Sequence, residues 1–259
     1  MILAIDIGNT NIVIGCTQED QVHFVERVST NISKTELEYV VEFKTLFDLY
    51  RIDTKEITGC IISSVVPPLI NIMKSAMQKL LNISPLVVGP GIKTGLNILM
   101  DNPAQIGADL IVNAVAALKY YGAPAVIIDM GTATTISVVD DKKNYVGGMI
   151  LPGARISLDA LTSRTSQLPR ISLEAPRRII GKNTIDCMKS GIVLGQAACL
   201  DGMIARIRED LGYSFHMIAT GGLAGCIVPH CREKIICDIE LTLKGLDIIY
   251  RKNMEEKPC

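Results

Sequence analysis

Three short stretches carry side chains of the right type and spacing for chemistry. In "AIDIGNTNIVIG" an apolar run ends in Asp6, Ile7 and Gly8, followed by Asn9, Thr10, Asn11, Ile12 and Val13. A glycine at such a turn lets backbone N–H groups approach an anion, and Thr10 and Asn11 add side-chain donors. An aspartate at the strand end, Asp6, suits Mg²⁺ held through water, because hard cations take oxygen ligands. The same residues also make an ordinary tight hairpin, in which Asn and Gly take up positive φ. "AVIIDMGTATTISVVD" repeats the pattern: Asp129 and Gly131 stand to Asp6 and Gly8 at a constant offset, with Thr132 in the turn. With the Gly-Gly turn of "IATGGLA", the chain has three backbone-rich turns suited to holding the two ends of a nucleotide. A duplication can also copy a folding solution without copying its function.

The third stretch is "MDNPAQIGADLIVNAVAA", which sets Asp109 at the head of an apolar run. A helix starting near residue 107 would point its first N–H groups and positive dipole end at the Asp109 carboxylate and keep it charged. Phosphoryl transfer asks the protein mainly for positioning and for one acceptor of the attacking hydroxyl's proton, which such a carboxylate supplies. The competing reading is an N-terminal capping aspartate with no chemical role. Other chemistries have less to stand on. "GPGIKTG" and "IIGKNT" match neither the Walker A order nor the dinucleotide glycine spacing. Of the three histidines, His23, His216 and His230, none pairs with a serine elbow or a cysteine, and His216 reads as a satisfied core residue. Lys182 reads as part of a solvated turn. The cluster Cys226, His230, Cys231 and Cys237 fits no common zinc spacing and reads as buried or surface thiols.

These residues need elements to position them. Residues 2–7 and 11–16 are apolar on either side of "GNTN", which predicts two strands joined by a tight turn, with a third strand at "VHFVERV". Apolar spacing predicts a helix over about 34–50, a buried strand at "ITGCIISS", and a helix at "PPLINIMKSAMQKLLN" opened by prolines. The second half restarts the scheme with two strands around "MGTA" and a third at "YVGGMI". "HMIATGG" then corresponds to "CIISSVV" in the first half. The economical reading is an internal duplication into lobes 1–118 and 119–255, broken near "LKYYGAP". The charged tail "RKNMEEKPC" is expected to fray.

Composition narrows the classes. The 259 residues are 48% hydrophobic and 20% charged with a net charge of −1, the balance of a globular protein. Without a basic excess there is no electrostatic footprint for nucleic acid. The apolar N-terminus lacks a basic flank and contains Asp6, unlike a signal peptide, and no apolar run approaches the ~18 residues of a membrane span. The eight cysteines show no paired CxxC spacing, so reduced thiols in a cytoplasmic protein are expected.

Taken together, "DIGNTN", "ISSVVPP", "GPGIKTGLNI", "DNP", "GAD", "NAVAA", "DMGTATT", "GGMILPG", "SRTSQLPR" and "IGKNT" resemble the type III pantothenate kinases in order and spacing, from residue 6 to about residue 225. The resemblance implies an α/β protein with a duplicated ribonuclease-H-like, actin-like ATPase fold, two lobes with mixed sheets and a central cleft. It implies ATP-dependent phosphorylation of pantothenate to 4'-phosphopantothenate, the first step of coenzyme A biosynthesis. Residues Asp6 to Val13 would then surround the ATP phosphates and Mg²⁺, Thr132 would touch ATP, and Asp129 would bind a monovalent cation, K⁺ or NH₄⁺. Gly107, Ala108, Asp109 and Leu110 would line pantothenate, with Asp109 as proton acceptor, and Thr184 would touch it. The family works as a homodimer.

The chain departs from the family twice. Leu110 stands where the family has Arg after the catalytic Asp, and Met100 stands where it has a substrate-contacting Tyr before "DNP". Pantothenate carries a carboxylate, and losing one charge-assisted hydrogen bond to it costs about 1.5 to 3 kcal/mol, one to two decades of affinity. Arg155 or Arg164 could supply the missing cation. The alternatives are a kinase for a less anionic alcohol, or a non-catalytic regulatory homologue.

Overall fold

The computed structural model describes residues 1–19 and 21–254. In chain order the first half comprises β1 (Ile2–Ile7), β2 (Asn11–Gln18), β3 (Gln21–Val22), β4 (Glu26–Ser29), α1 (Glu36–Tyr50), β5 (Gly59–Ser64), α2 (Pro67–Leu81), β6 (Leu86–Val87), β7 (Asn97–Ile98) and α3 (Ala108–Tyr120). The second half comprises β8 (Ala125–Met130), β9 (Ala133–Val139), β10 (Asn144–Pro152), α4 (Ala154–Arg164), α5 (Thr184–Leu211), β11 (His216–Thr220), α6 (Ala224–Ile227), β12 (Ile236–Cys237) and α7 (Leu241–Met254).

These elements form two units. One holds Met1–Leu96, Asp101–Lys119 and the segment from Glu240 onward, and the other holds Asn97–Met100 and Tyr120–Ile239. The division falls between Lys119 and Tyr120, before the last residue of α3 and one residue beyond the expected break at 118. The C-terminal end differs from the expected second lobe of 119–255, because α7 packs with the first sheet. Its Leu243, Leu246 and Ile249 join Ile2, Ala4 and Ile61 of the strands and Val112 and Val115 of α3 in one core cluster. Two polar links fix it there, the first buried and the second partly so: Thr17 Oγ1 donates to Asp247 Oδ1 at 2.7 Å, and Thr242 Oγ1 donates to Asn113 Oδ1 at 2.7 Å. Arg251 Nε donates to Asp247 Oδ2 at 2.7 Å, so residues 251–254 of the supposedly frayed tail are helical; the rest of the tail lies outside the described residues.

The first sheet runs β3-β2-β1-β5-β6, with β4 also on β2. Strand alternation sends Leu3, Ile5 and Ile7 to one face, where they pack with Tyr39, Phe43 and Phe47 of α1 and Leu69, Met73 and Met77 of α2. Helix α1 starts at a capping box in which Thr35 and Glu38 satisfy each other's backbone N–H groups. Prolines 67 and 68 open α2, where missing N–H groups cost nothing. The expected third strand at "VHFVERV" is two short ones, β3 and β4, both pairing with β2.

The second sheet runs β12-β11-β8-β9-β10-β7. Its core sets Val126, Ile128, Met130 and Ile136 against Ile192, Leu200, Ile204 and Ile207 of α5. By length and composition α5 is also long and apolar enough to cross a membrane, although charged residues interrupt it; its buried residues pack on this sheet. The duplication is visible in the pairing. Strand β1 is antiparallel to β2 and parallel to β5, as β8 is antiparallel to β9 and parallel to β11.

Candidate active site

The first hairpin joins β1 to β2 across Gly8–Asn11, with Ile7 opposite Ile12 and Asp6 opposite Val13. Gly8 N–H donates to Asn11 O at 3.0 Å, so that particular donor is consumed inside the turn and does not face outward. Asn9, Thr10 and Asn11 are exposed, and Asp6 and Val13 are half-buried. Ile7 and Ile12 are wholly buried in the core, which leaves only their backbone to offer a ligand. Thr30, just past β4, braces the loop: its N–H donates to Thr10 O at 3.0 Å and its Oγ1 donates to Gly8 O at 2.6 Å. Sequence reading passed over Thr30; the signal was a hydroxyl residue directly after a strand that must pair with β2.

The second hairpin repeats this design with one residue fewer. Met130 pairs with Thr134, and Gly131 N–H donates to Ala133 O at 3.1 Å. The residues after the neighbouring parallel strands also correspond, Val65 N–H donating to Ile7 O at 3.0 Å and Leu223 N–H to Met130 O at 3.1 Å. Asp129 pairs with Thr220, and the Gly-Gly turn lies directly against it. Gly221 has φ +91°, and a Cβ there would sit 2.6 Å from Asp129 Oδ1 and 2.7 Å from the Met130 backbone. Two of the backbone-rich turns read from the sequence therefore meet at Asp129, and Thr132 is half-buried beside them in the hairpin loop.

Asp109 is not the cap of α3. The helix begins at Ala108, and Gly107 O accepts from Leu110 N–H at 3.2 Å and from Ile111 N–H at 3.4 Å, so Gly107 occupies the cap position. Asp109 Oδ1 accepts the Leu110 N–H at 2.9 Å. Burial pushes the Asp109 carboxyl above its ordinary range, against the smaller opposing pull of the Leu110 N–H and its own N–H. The expected stabilisation of charge by the helix start is thus outweighed by desolvation. A carboxylate with a raised pKa is a better proton acceptor near neutral pH than an ordinary one. Gly107 is what lets it lie where it does, since a Cβ at that position would come within 2.4 Å of Asp109 Oδ1.

The remaining predicted residues are placed as follows. Gly107, Ala108 and Leu110 are half-buried at the head of α3 in the first unit. Met100 and Thr184 belong to the second unit, Met100 lying beside Gly147 and Thr184 exposed as the first residue of α5. Asn183 caps that helix by accepting the Asp186 N–H at 2.9 Å, so the Thr184 hydroxyl is not needed for capping. Arg155 and Arg164 are exposed at the two ends of α4. Burial raises the Cys226 thiol and pushes Cys231 up to about 11, which keeps both protonated at neutral pH. Among the described residues no group of three or more His, Cys, Asp or Glu is placed to hold a metal. A divalent ion here would take most of its oxygen ligands from water and nucleotide phosphates, the usual habit of Mg²⁺ at phosphoryl-transfer sites, and the single carboxylate of Asp6 fits that donor set.

Comparison with known sequences decides among the chemistries these residues allow. The family model for type III pantothenate kinase matches residues 2–206. The chain belongs to the type III pantothenate kinases. A type III pantothenate kinase of Halalkalibacterium halodurans is 46% identical over 254 residues, covering 98% of this chain and 100% of the relative. Another from an Exiguobacterium species is 46% identical over 255 residues, with 98% and 100% covered. Among solved structures, the activator of 2-hydroxyisocaproyl-CoA dehydratase from Clostridium difficile with bound ADPNP matches with a TM-score of 0.55 at 13% identity, over 100% of this chain and 98% of that one. Component A of (R)-2-hydroxyglutaryl-CoA dehydratase from Acidaminococcus fermentans matches with a TM-score of 0.56 at 11% identity, over 98% and 99%. At those identities the likeness speaks for the fold alone, and it supports the duplicated ribonuclease-H-like, actin-like architecture of this type III pantothenate kinase family member.

Proposed function

We propose that this protein phosphorylates pantothenate with ATP, giving 4'-phosphopantothenate and ADP at the entry to coenzyme A biosynthesis. The observation that carries the reading, besides family membership, is the Asp109 carboxyl, half-buried at the head of α3 with its pKa raised by desolvation. In this reading the Asp109 carboxylate takes the proton of the pantothenate hydroxyl as its oxygen attacks the γ-phosphorus and ADP departs. The Gly8–Asn11 loop, with Asp6 and Val13 flanking it and the Ile7 and Ile12 backbone behind it, receives the phosphates, and Thr132 contacts the nucleotide. Asp6 would hold Mg²⁺ through water, the ion supplying charge neutralisation for the phosphates, and Asp129 would hold K⁺ or NH₄⁺. Gly107, Ala108, Leu110, Met100 and Thr184 form the pantothenate contacts.

Leu110 and Met100 are apolar where the substrate is anionic, so a cation must come from elsewhere, and Arg155 and Arg164 on α4 are the candidates. The same two residues favour the second reading, a kinase for a less anionic alcohol. The protein works as a cytoplasmic homodimer. The exposed Ile150, Ile156, Ile179, Ile180 and Ile185, all in the second unit, are apolar surface that a second copy would cover.

The test is a titration of pantothenate against the full chain with ATP, Mg²⁺ and K⁺, reading ADP, run in parallel on Leu110→Arg. Saturable turnover is expected, with KM for pantothenate about tenfold lower in the arginine variant, the worth of one charge-assisted hydrogen bond. No ADP at any pantothenate concentration, or a clear preference for a neutral pantetheine-like alcohol, overturns the assignment.

A further inference from the structure

We infer that Ser63 is a positioning residue for Asp6, donating its hydroxyl hydrogen to the Asp6 carboxylate when that carboxylate takes up the hydrated metal of the metal–nucleotide complex. The inference rests on the proposed role of Asp6 as the Mg²⁺-facing carboxylate.

Ser63 is completely buried, and its Oγ has no hydrogen-bond partner among the described residues. Buried hydroxyls are nearly always paired, and an orphan lowers the stability of the fold that contains it. The rest of its strand gives no structural reason for a hydroxyl, since Cys60, Ile61 and Ile62 are wholly buried in apolar clusters. The next residue makes the contrast plain: Ser64 Oγ accepts the Val66 N–H at 3.0 Å and so helps to turn the chain into α2. Ser63 does nothing of that kind.

What Ser63 does have is a neighbour. The parallel register of β1 and β5 sets it directly beside Asp6. Side chains paired across a ladder project to the same face, so the hydroxyl and the carboxylate share a face on neighbouring strands, without a hydrogen bond between them in this structure. They occupy the face of the sheet that carries Ala4 and Ile61 and packs against α3, the helix whose head bears Asp109. The other cross-strand partner of Asp6 is Val13, whose side chain carries no hydroxyl or amide. A hydroxyl donor fixes one carboxylate oxygen and leaves the other aimed at a water of the metal's shell, the outer-shell arrangement that orients acidic ligands generally. The duplication repeats the pairing of residue types: in the second unit the residue paired with Asp129 is Thr220, another buried hydroxyl residue.

The experiment uses the full chain, the parent and Ser63→Ala, with Mn²⁺ in place of Mg²⁺ and a non-hydrolysable ATP analogue. Free Mn²⁺ is followed by electron paramagnetic resonance and thermal unfolding is recorded without ligands. Ser63→Ala is expected to unfold at the same or a higher temperature than the parent, because an unpaired buried hydroxyl has been removed. Its Mn²⁺ affinity in the presence of the analogue is expected to fall about tenfold, with KM for pantothenate unchanged. In an Asp6→Asn background the same substitution should cost nothing further, since the two act as one unit. Mn²⁺ affinity within twofold of the parent, losses that add in the double variant, or a lowered unfolding temperature would each overturn the role of Ser63 alone. A parent that takes up no Mn²⁺ with the analogue would overturn the reading of Asp6 itself, and Ser63 with it.

Discussion

Asp109 decides most at the scale of single residues. Its folded-state pKa is raised by burial, so the native state binds its proton more readily than the unfolded chain does. The charged form is therefore a burden on stability at neutral pH, present above the folded pKa and relieved as the pH falls through it toward the unfolded value. Asp109→Asn should accordingly raise the unfolding temperature at pH 7, and the gain should shrink on acidification, as a melting series across pH will show. The same substitution removes the proton acceptor and should lower kcat by 10² to 10⁴-fold while leaving ATP binding intact. The acidic limb of the parent's kcat profile should lie above the ordinary aspartate range. The helix start that pulls the Asp109 pKa down is legible in "IGADLIV", whereas the burial that outweighs it is not carried by local pattern. Ser63 was invisible for the same kind of reason, as only the β1–β5 register puts it beside Asp6.

At the scale of elements, the head of α3 is built around the absence of a side chain. Gly107 holds the cap position, and a methyl there would come within 2.4 Å of Asp109 Oδ1. Gly107→Ala should leave the circular-dichroism spectrum unchanged, because the helix keeps its hydrogen bonds, yet reduce kcat about 10²-fold by moving the carboxylate. An unchanged kcat would show that Asp109 does not need its present position. Elements with strong periodicity or explicit punctuation were legible in advance: β1, β2, β5, β8 and α2 lie within a few residues of their expected spans, and α1 starts at its capping box. Elements set by partners were not. The segment "VHFVERV" reads as one strand, but β3 and β4 pair with different stretches of β2 and leave 23–25 between them. The charged tail from Arg251 suggests fraying, yet residues 251–254 continue α7, with Arg251 donating to Asp247, which also accepts from Thr17.

At the scale of the whole molecule, the chain of 28.1 kDa is expected to sediment at twice that mass, and Ile179→Ser with Ile180→Ser should shift it toward the single-chain value. Sedimentation of the parent as one chain would remove the homodimer from the proposal. The duplication is the feature that sequence and structure share most fully, because strand-Asp-x-Gly-turn-strand is written in local residue types and both sheets repeat its pairing. Sequence by itself determined the family and the α/β duplication and pointed to Asp6, Asp109 and Asp129, since all of these are written in short motifs of neighbouring residue types. Only the tertiary structure decided that α7 completes the first unit, that Gly221 closes on Asp129, that burial governs the charge of Asp109, and that Ser63 flanks Asp6. Those depend on strand register and on what covers a side chain from a distant part of the chain, and neither quantity is carried by local pattern.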